Sequence, residues 1–302
     1  LTDFPHKVLV IGLDGATFNL IEPWAAAGLL PNLSRLMAEG SHGRLLSTLQ
    51  PVTAPAWTTF MTGVNQGKHG LYDFIRRRTD GYELEITSAA HIAVPNLFEL
   101  ASQQGRRVIS VNVPYTFPPR PVNGVCLAGP FAPSFSPELV YPSKIFPRLQ
   151  QAVPEYFVLP DYDARQSDPL GSYAHKLLQE IDVRQRMCLH LIETEPWDLF
   201  ATVFMATDEA QHAFWHCQVA PEGTPLARYR DVIRDVYRQA DQALGLLLEV
   251  SGAAEGKASV IILSDHGAGG LHWMINLNRW LSEAGFLQFY KTNANSLSKL
   301  RA

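Results

Sequence analysis

Two apolar runs stand near opposite ends of this chain, and each ends in acidic residues. Lys7-Val8-Leu9-Val10-Ile11-Gly12-Leu13 leads into Asp14-Gly15; Ala258-Ser259-Val260-Ile261-Ile262-Leu263 leads into Ser264-Asp265-His266-Gly267. Both runs are short, rich in β-branched residues and nearly continuous, which predicts strands buried on two faces, as in a parallel sheet. Between them the pattern predicts helices over 31–40, from Pro55 through Met61, over 96–104, 172–194 and 226–250, with strands over 107–113 and 197–205. Repeated strand-then-helix order implies an α/β fold with a largely parallel central sheet and helices on both faces. Residues 114–170 break this rhythm. Prolines cluster there with aromatic residues between them, which predicts a long loop system or a lid inserted over a site. The terminal stretch 293–302 reads as polar helix.

Bulk properties narrow the possibilities. A chain of 302 residues can form one large domain or two small ones, and its 46% hydrophobic and 18% charged content is that of an ordinary globular protein with ample core. A net charge of -4 argues against a broad basic surface for nucleic acid, and the local run Arg76-Arg77-Arg78 reads as a solvated loop. Cys126, Cys188 and Cys217 are odd in number and scattered, which predicts free thiols and a reducing compartment. No apolar run approaches the ~20 residues of a membrane helix. A cytoplasmic setting without membrane contact is therefore expected. The chain starts at Leu1 rather than Met, which leaves room for an upstream segment.

The candidate chemistry lies at strand ends. Open α/β sheets place ligands at the C-terminal tips of their strands, so Asp14, Asp265 and His266 form the start of a site for a hard cation or zinc if those tips adjoin. After the 197–205 strand come Asp208 and His212, four apart and hence one turn apart on one face of a helix. Alone, they read as an N-cap and a surface histidine; in company with Asp14, Asp265 and His266, they read as metal ligands. Thr53, in Pro51-Val52-Thr53-Ala54-Pro55, sits just ahead of a predicted helix. It is either an N-cap or a hydroxyl placed where a helix N-terminus attracts phosphate.

Together, Ile11-Gly12-Leu13-Asp14-Gly15, the stretch Val52-Thr53-Ala54-Pro55-Ala56-Trp57-Thr58-Thr59-Phe60-Met61-Thr62-Gly63, Gly67-Lys68-His69-Gly70, Asp208 with His212, and Ser264-Asp265-His266-Gly267 resemble the type I phosphodiesterase/nucleotide pyrophosphatase family. The resemblance runs from about Lys7 to Trp280 and places the chain in the alkaline phosphatase superfamily. It implies an alkaline-phosphatase-like fold and a phosphoester hydrolase with two divalent ions, zinc or manganese, and a small-molecule phosphoester substrate. By motif position, Asp14, Thr53, Asp265 and His266 correspond to the ligands of one metal, and Asp208 and His212 to two ligands of the other. Thr53 corresponds to the nucleophile, whose hydroxyl a metal would acidify.

The chain departs from the family pattern twice. The second metal normally takes a further histidine from well downstream of Ser-Asp-His-Gly, and here the only histidine after His266 is His272. A chain cut from a longer protein would account for this, with His272 as a substrate contact. After His69-Gly70 the family places a phosphate-binding asparagine, where this chain has Leu71-Tyr72-Asp73-Phe74. Transition-state stabilisation then falls to the metals and the Ala54 N–H. Related readings are a phosphomutase, a phosphonate hydrolase, a phosphotransferase, or a non-catalytic binding module on the same scaffold. A sulfatase is disfavoured, since no C-x-P-x-R surrounds any cysteine.

Overall fold

The computed structural model describes residues 7–289 apart from Tyr82 and Pro133; the stretch 293–302, expected as polar helix, lies outside the described residues. The resemblance implies a single catalytic domain over 1–302 with a lid-like insert at about 114–170; within the chain, two compact units are distinguished, Leu1–Ala268 and Gly269–Ala302.

The first unit begins with β1 (Lys7–Leu13), α1 (Phe18–Ala26), α2 (Pro31–Glu39), α3 (Thr53–Thr62) and the single turn α4 (Gln66–His69). A short antiparallel hairpin follows, β2 (Ile75–Arg77) and β3 (Leu84–Ile86), then α5 (Leu97–Gln103), β4 (Val108–Val111), β5 (Gly124–Leu127) and β6 (Val140–Tyr141). Next come α6 (Phe146–Ala152), α7 (Pro169–Thr194), β7 (Leu199–Phe204), α8 (Ala206–Phe214), α9 (Val232–Val250) and β8 (Ala258–Leu263). The second unit contains α10 (Leu277–Glu283). Among the described residues, no helix is long and apolar enough to cross a membrane.

Six strands form one sheet in the order β6-β5-β4-β7-β1-β8, all parallel except β6, which runs antiparallel to β5. Strand β1, between β7 and β8, alternates between two cores. Leu9, Ile11 and Leu13 point to the face covered by α1, α2, α7, α8 and α9, while Val10 joins Ala54, Trp57, Met61 and Phe98 of α3 and α5 on the other. Gly12 leaves the space that Trp57 fills, since a Cβ there would lie 2.3 Å from the indole Cη2.

Register explains why ligand candidates far apart in sequence meet. Leu13 pairs with Phe204, and Gly12 with Leu263, so β7, β1 and β8 end at one level. Asp14, the start of α8 and Ser264-Asp265-His266 therefore emerge side by side. Ligands of open α/β sheets bind at this carboxyl end of the strands.

Three expectations are corrected. Residues 114–170 are not a lid alone: β5 and β6 within them add the far edge of the sheet, and Phe135 packs on Phe146 and Tyr156 in the core. Tyr115 is likewise buried, against Phe74 and Phe131. In the run Arg76-Arg77-Arg78, Arg76 and Arg77 belong to hairpin strand β2, with Arg76 paired to Glu85 at 2.6 Å and Arg78 to Asp80 at 3.0 Å. Helix α3 begins at Thr53 instead of Pro55, because proline needs no N–H donor in a first turn.

Candidate metal centre

The site grows from the end of β1. Gly15 takes φ +62, a left-handed conformation that glycine adopts without strain, and its backbone presses against Asp208. A Cβ at this position would lie 2.4 Å from Asp208 Oδ1. The Gly15 N–H donates to Asp265 Oδ1 at 3.2 Å, tying the β1 loop to the β8 loop. Ser47 Oγ donates to the Asp265 carbonyl at 2.6 Å, and Ser264 Oγ to the His266 carbonyl at 2.6 Å, which fixes the β8 loop in turn.

His266 Nε2 is the centre of the cluster. It lies 3.6 Å from Asp14 Oδ1, 3.5 Å from Asp265 Oδ2 and 3.3 Å from Thr53 Oγ1. Nδ1 lies 3.0 Å from the Gly267 carbonyl, which can only accept, so Nδ1 is the donor of that contact and Nε2 is the ring nitrogen turned to the cluster. A histidine that ligates a metal through Nε2 holds its other ring N–H in this way. Asp14, Asp208 and His266 each offer a ligand atom within 4.8 Å of the others. The Asp208 to His212 pair is 3.3 Å, with His212 exposed to solvent and Asp208 buried.

Electrostatics favour a cation here. Burial, and then the charges of Asp265 and Asp208, hold the Asp14 carboxyl well above the usual carboxylate range despite the Trp57 hydrogen bond. Burial pushes Asp265 up to about 6, against the opposing influence of His266 and the Gly15 N–H. Glu209, half-buried in the same turn as Asp208, is also raised by burial, while the Asp208 hydrogen bond raises His212. Asp14 Oδ1 and Asp265 Oδ2 are buried without a hydrogen-bond partner among the described residues. Such oxygens are costly unless something positive faces them. The donor set, carboxylate and imidazole with an adjacent hydroxyl, fits zinc or another divalent ion.

Thr53 does not cap its helix. The N-cap of α3 is Val52, and the hydrogen-bond partner of the Thr53 hydroxyl is His266 Nε2. With Pro55 lacking an N–H, the first turn of α3 leaves the Thr53 and Ala54 amides for an anion. Asp208 does not cap either: Met205 is the N-cap of α8, and Asp208 faces His212 within the helix. His69 is structural. It is fully buried, accepts from the Leu71 N–H at 3.1 Å and lies 3.0 Å from Thr59 Oγ1; burial lowers its pKa and keeps it neutral. Leu71 is core, and Asp73 accepts the Phe74 N–H at 2.7 Å, so the segment after Gly70 serves packing. His272 lies in the second unit, exposed in the irregular stretch ahead of α10.

Sequence reasoning missed three groups. Trp57 Nε1 donates to Asp14 Oδ2 at 2.6 Å, and Thr207 and Gln211 hold the carbonyls of Asp14 and Gly15. The Asp-Gly pair at a strand end was the one available signal that the backbone here must approach another element closely.

The family described as type I phosphodiesterase / nucleotide pyrophosphatase matches residues 8–301. No curated protein matches. Among solved structures, phosphonoacetate hydrolase from Sinorhizobium meliloti 1021, in complex with phosphonoacetate, is similar in fold with a TM-score of 0.59 and 15% identity, over 93% of this chain and 62% of that one. Murine ectonucleotide pyrophosphatase/phosphodiesterase 5 also matches, with a TM-score of 0.47 and 15% identity, over 86% of this chain and 57% of that one. The chain thus spans less than two thirds of the length of either protein.

Proposed function

As this chain belongs to the type I phosphodiesterase/nucleotide pyrophosphatase family, of the alkaline phosphatase superfamily, we propose that it is a metal-dependent phosphoester hydrolase with Thr53 as nucleophile. The observation that carries this reading is the convergence on His266 Nε2 of the Thr53 hydroxyl and the two unpartnered carboxylate oxygens of Asp14 and Asp265. Asp14, Asp265, His266 and Thr53 would hold one divalent ion; Asp208 and His212 would contribute to a second. Zinc or manganese there would neutralise phosphoryl oxygens and lower the pKa of the threonine hydroxyl.

The residues of this chain do the rest. Thr53 Oγ1 attacks phosphorus and loses its proton to solvent as the bond to the leaving group breaks, which gives a Thr53 phosphoester. Water then attacks the same phosphorus, and the P–O bond to Thr53 breaks to regenerate the hydroxyl. The Ala54 N–H, at the positive end of α3, stabilises negative charge on the phosphoryl group. Small soluble phosphodiesters and monoesters fit this chemistry.

The test is turnover of bis-p-nitrophenyl phosphate and p-nitrophenyl phosphate by chelator-treated protein, with zinc or manganese restored. The reading expects metal-dependent hydrolysis in the wild type and none in Thr53→Ala. Equal turnover by both proteins contradicts the nucleophile, and hydrolysis untouched by chelation contradicts the metal.

A further inference from the structure

Two consecutive carbonyls of the loop after β1 are gripped by α8. Thr207 Oγ1 donates to the Asp14 carbonyl at 2.6 Å, and Gln211 Nε2 donates to the Gly15 carbonyl at 2.8 Å. The second amide proton of Gln211 goes to the Thr207 carbonyl at 2.9 Å. Gln211 Oε1 accepts from Tyr237 Oη at 3.3 Å, and that oxygen accepts in turn from the Thr17 N–H at 3.3 Å. The amide orientation is forced, because both carbonyls can only accept and Nε2 must face them. Every polar atom of the Gln211 side chain is therefore matched. Thr207, Gln211 and Tyr237 are 0%, 3% and 1% exposed.

This network joins the two halves of the site. Asp14 belongs to the half with Asp265 and His266, and its loop hangs from Thr207 and Gln211. Those residues flank Asp208 and His212 on the helix that carries the other half. Between the halves the Gly15 backbone lies against the Asp208 carboxylate. Carboxylates on separate elements repel, so their spacing must be set by something other than their own contacts. We propose that Gln211 is a positioning residue that fixes the separation of the two half-sites through its bonds to the Gly15 and Thr207 carbonyls. It touches neither substrate nor reacting atoms. Displacements near 1 Å in such constellations cost about 100-fold in rate, and loss of the groups that orient metal ligands costs about 10- to 100-fold in metal affinity or activity. The inference rests on the two-half-site reading of the preceding section.

The test compares wild type with Gln211→Met, which keeps side-chain length but removes the amide, and with Tyr237→Phe, which removes the hydroxyl that orients it. Zinc is titrated calorimetrically into chelator-treated protein, and kcat and KM are measured on bis-p-nitrophenyl phosphate. Gln211→Met, folded by near-UV circular dichroism, should bind zinc about 10- to 100-fold more weakly. Its kcat should fall by a similar factor while KM stays within about twofold. Tyr237→Phe should move both in the same direction by less, and it carries the test if Gln211→Met does not fold. A purely structural role would lower thermal stability and leave the zinc isotherm of the folded protein unchanged; that result, beside normal wild-type binding, overturns the inference alone. Wild-type protein that binds no zinc overturns the functional reading and this inference together.

Discussion

Trp57 Nε1 donates a 2.6 Å hydrogen bond to Asp14 Oδ2 and so ties the helix that begins at Thr53 to the acid at the tip of β1. One carboxylate oxygen is thereby occupied, and the other, Oδ1, is left facing His266 Nε2. Trp57→Phe keeps most of the packing but strands Oδ2. The expected loss is about 1–3 kcal/mol of unfolding free energy, read by urea denaturation. Gly12→Ala should do more damage, because its Cβ would meet the indole at 2.3 Å and Val203 at 2.9 Å.

Thr53→Ala should separate chemistry from folding. The hydroxyl does not cap α3, so its removal should not carry the ~1 kcal/mol cost of a lost N-cap. Unfolding midpoints of the two proteins should nearly coincide while turnover disappears. Thr53→Ser, which keeps a hydroxyl at the same position, should retain measurable turnover.

The clustered acids predict an inverted pH dependence in chelator-treated protein. Asp265 is held at about 6, and Asp14 is held well above its ordinary value by burial and its acidic neighbours. For an acid whose folded pKa is raised, the native state binds more protons than the unfolded chain. Its contribution to stability is present below the unfolded value of 3.8 and is lost as pH rises through the folded value. Thermal midpoints without metal should therefore fall between about pH 4 and pH 7 by more in wild type than in Asp265→Asn. Saturating zinc should abolish that fall, since a bound cation stabilises the ionised acids. Identical slopes for the two proteins would contradict the assignment.

Much of this architecture was legible in the chain. Strands β1 and β8 were read to their last residue, because an unbroken apolar run bounded by polar residues leaves little choice of ends. The ligand candidates followed from where those runs stop. Strands β5 and β6 were not legible: with four and two residues, they are too short for periodicity and lie among prolines. Helix α1 was hidden by Pro23 inside it. The cap of α2 was invisible for a different reason. Its own N-cap, Leu30, supplies no side-chain bond, and Asp241 of α9 takes the Leu33 and Asn32 amides at 2.7 and 3.1 Å from more than 200 residues away. Gln211 is similar, since its partner Gly15 lies 196 residues away in sequence. Such partners become apparent only when the fold brings them together.

Away from the candidate metal centre, Glu180 and Arg184 form a fully buried pair one turn apart on α7, at 3.0 Å. Arg184 also donates to the Val158 carbonyl at 2.9 Å and lies over the Tyr156 ring. Burial pushes Glu180 up and Arg184 down toward their neutral forms, so each depends on the other. Arg184→Met alone should cost about 3–5 kcal/mol by leaving a buried acid unpaired. The double variant Glu180→Leu with Arg184→Met should cost less than the single one. Denaturant titration of the three proteins decides this.

The central claim, that Asp14, Asp265 and His266 form a cation site beside Thr53, is tested most directly by anomalous diffraction at the zinc edge from zinc-soaked crystals. An anomalous peak is expected about 2.0–2.2 Å from oxygens of Asp14 and Asp265 and from His266 Nε2, with the Thr53 hydroxyl beside it. Saturating zinc with no peak in that cluster, or with peaks at surface histidines only, would contradict it.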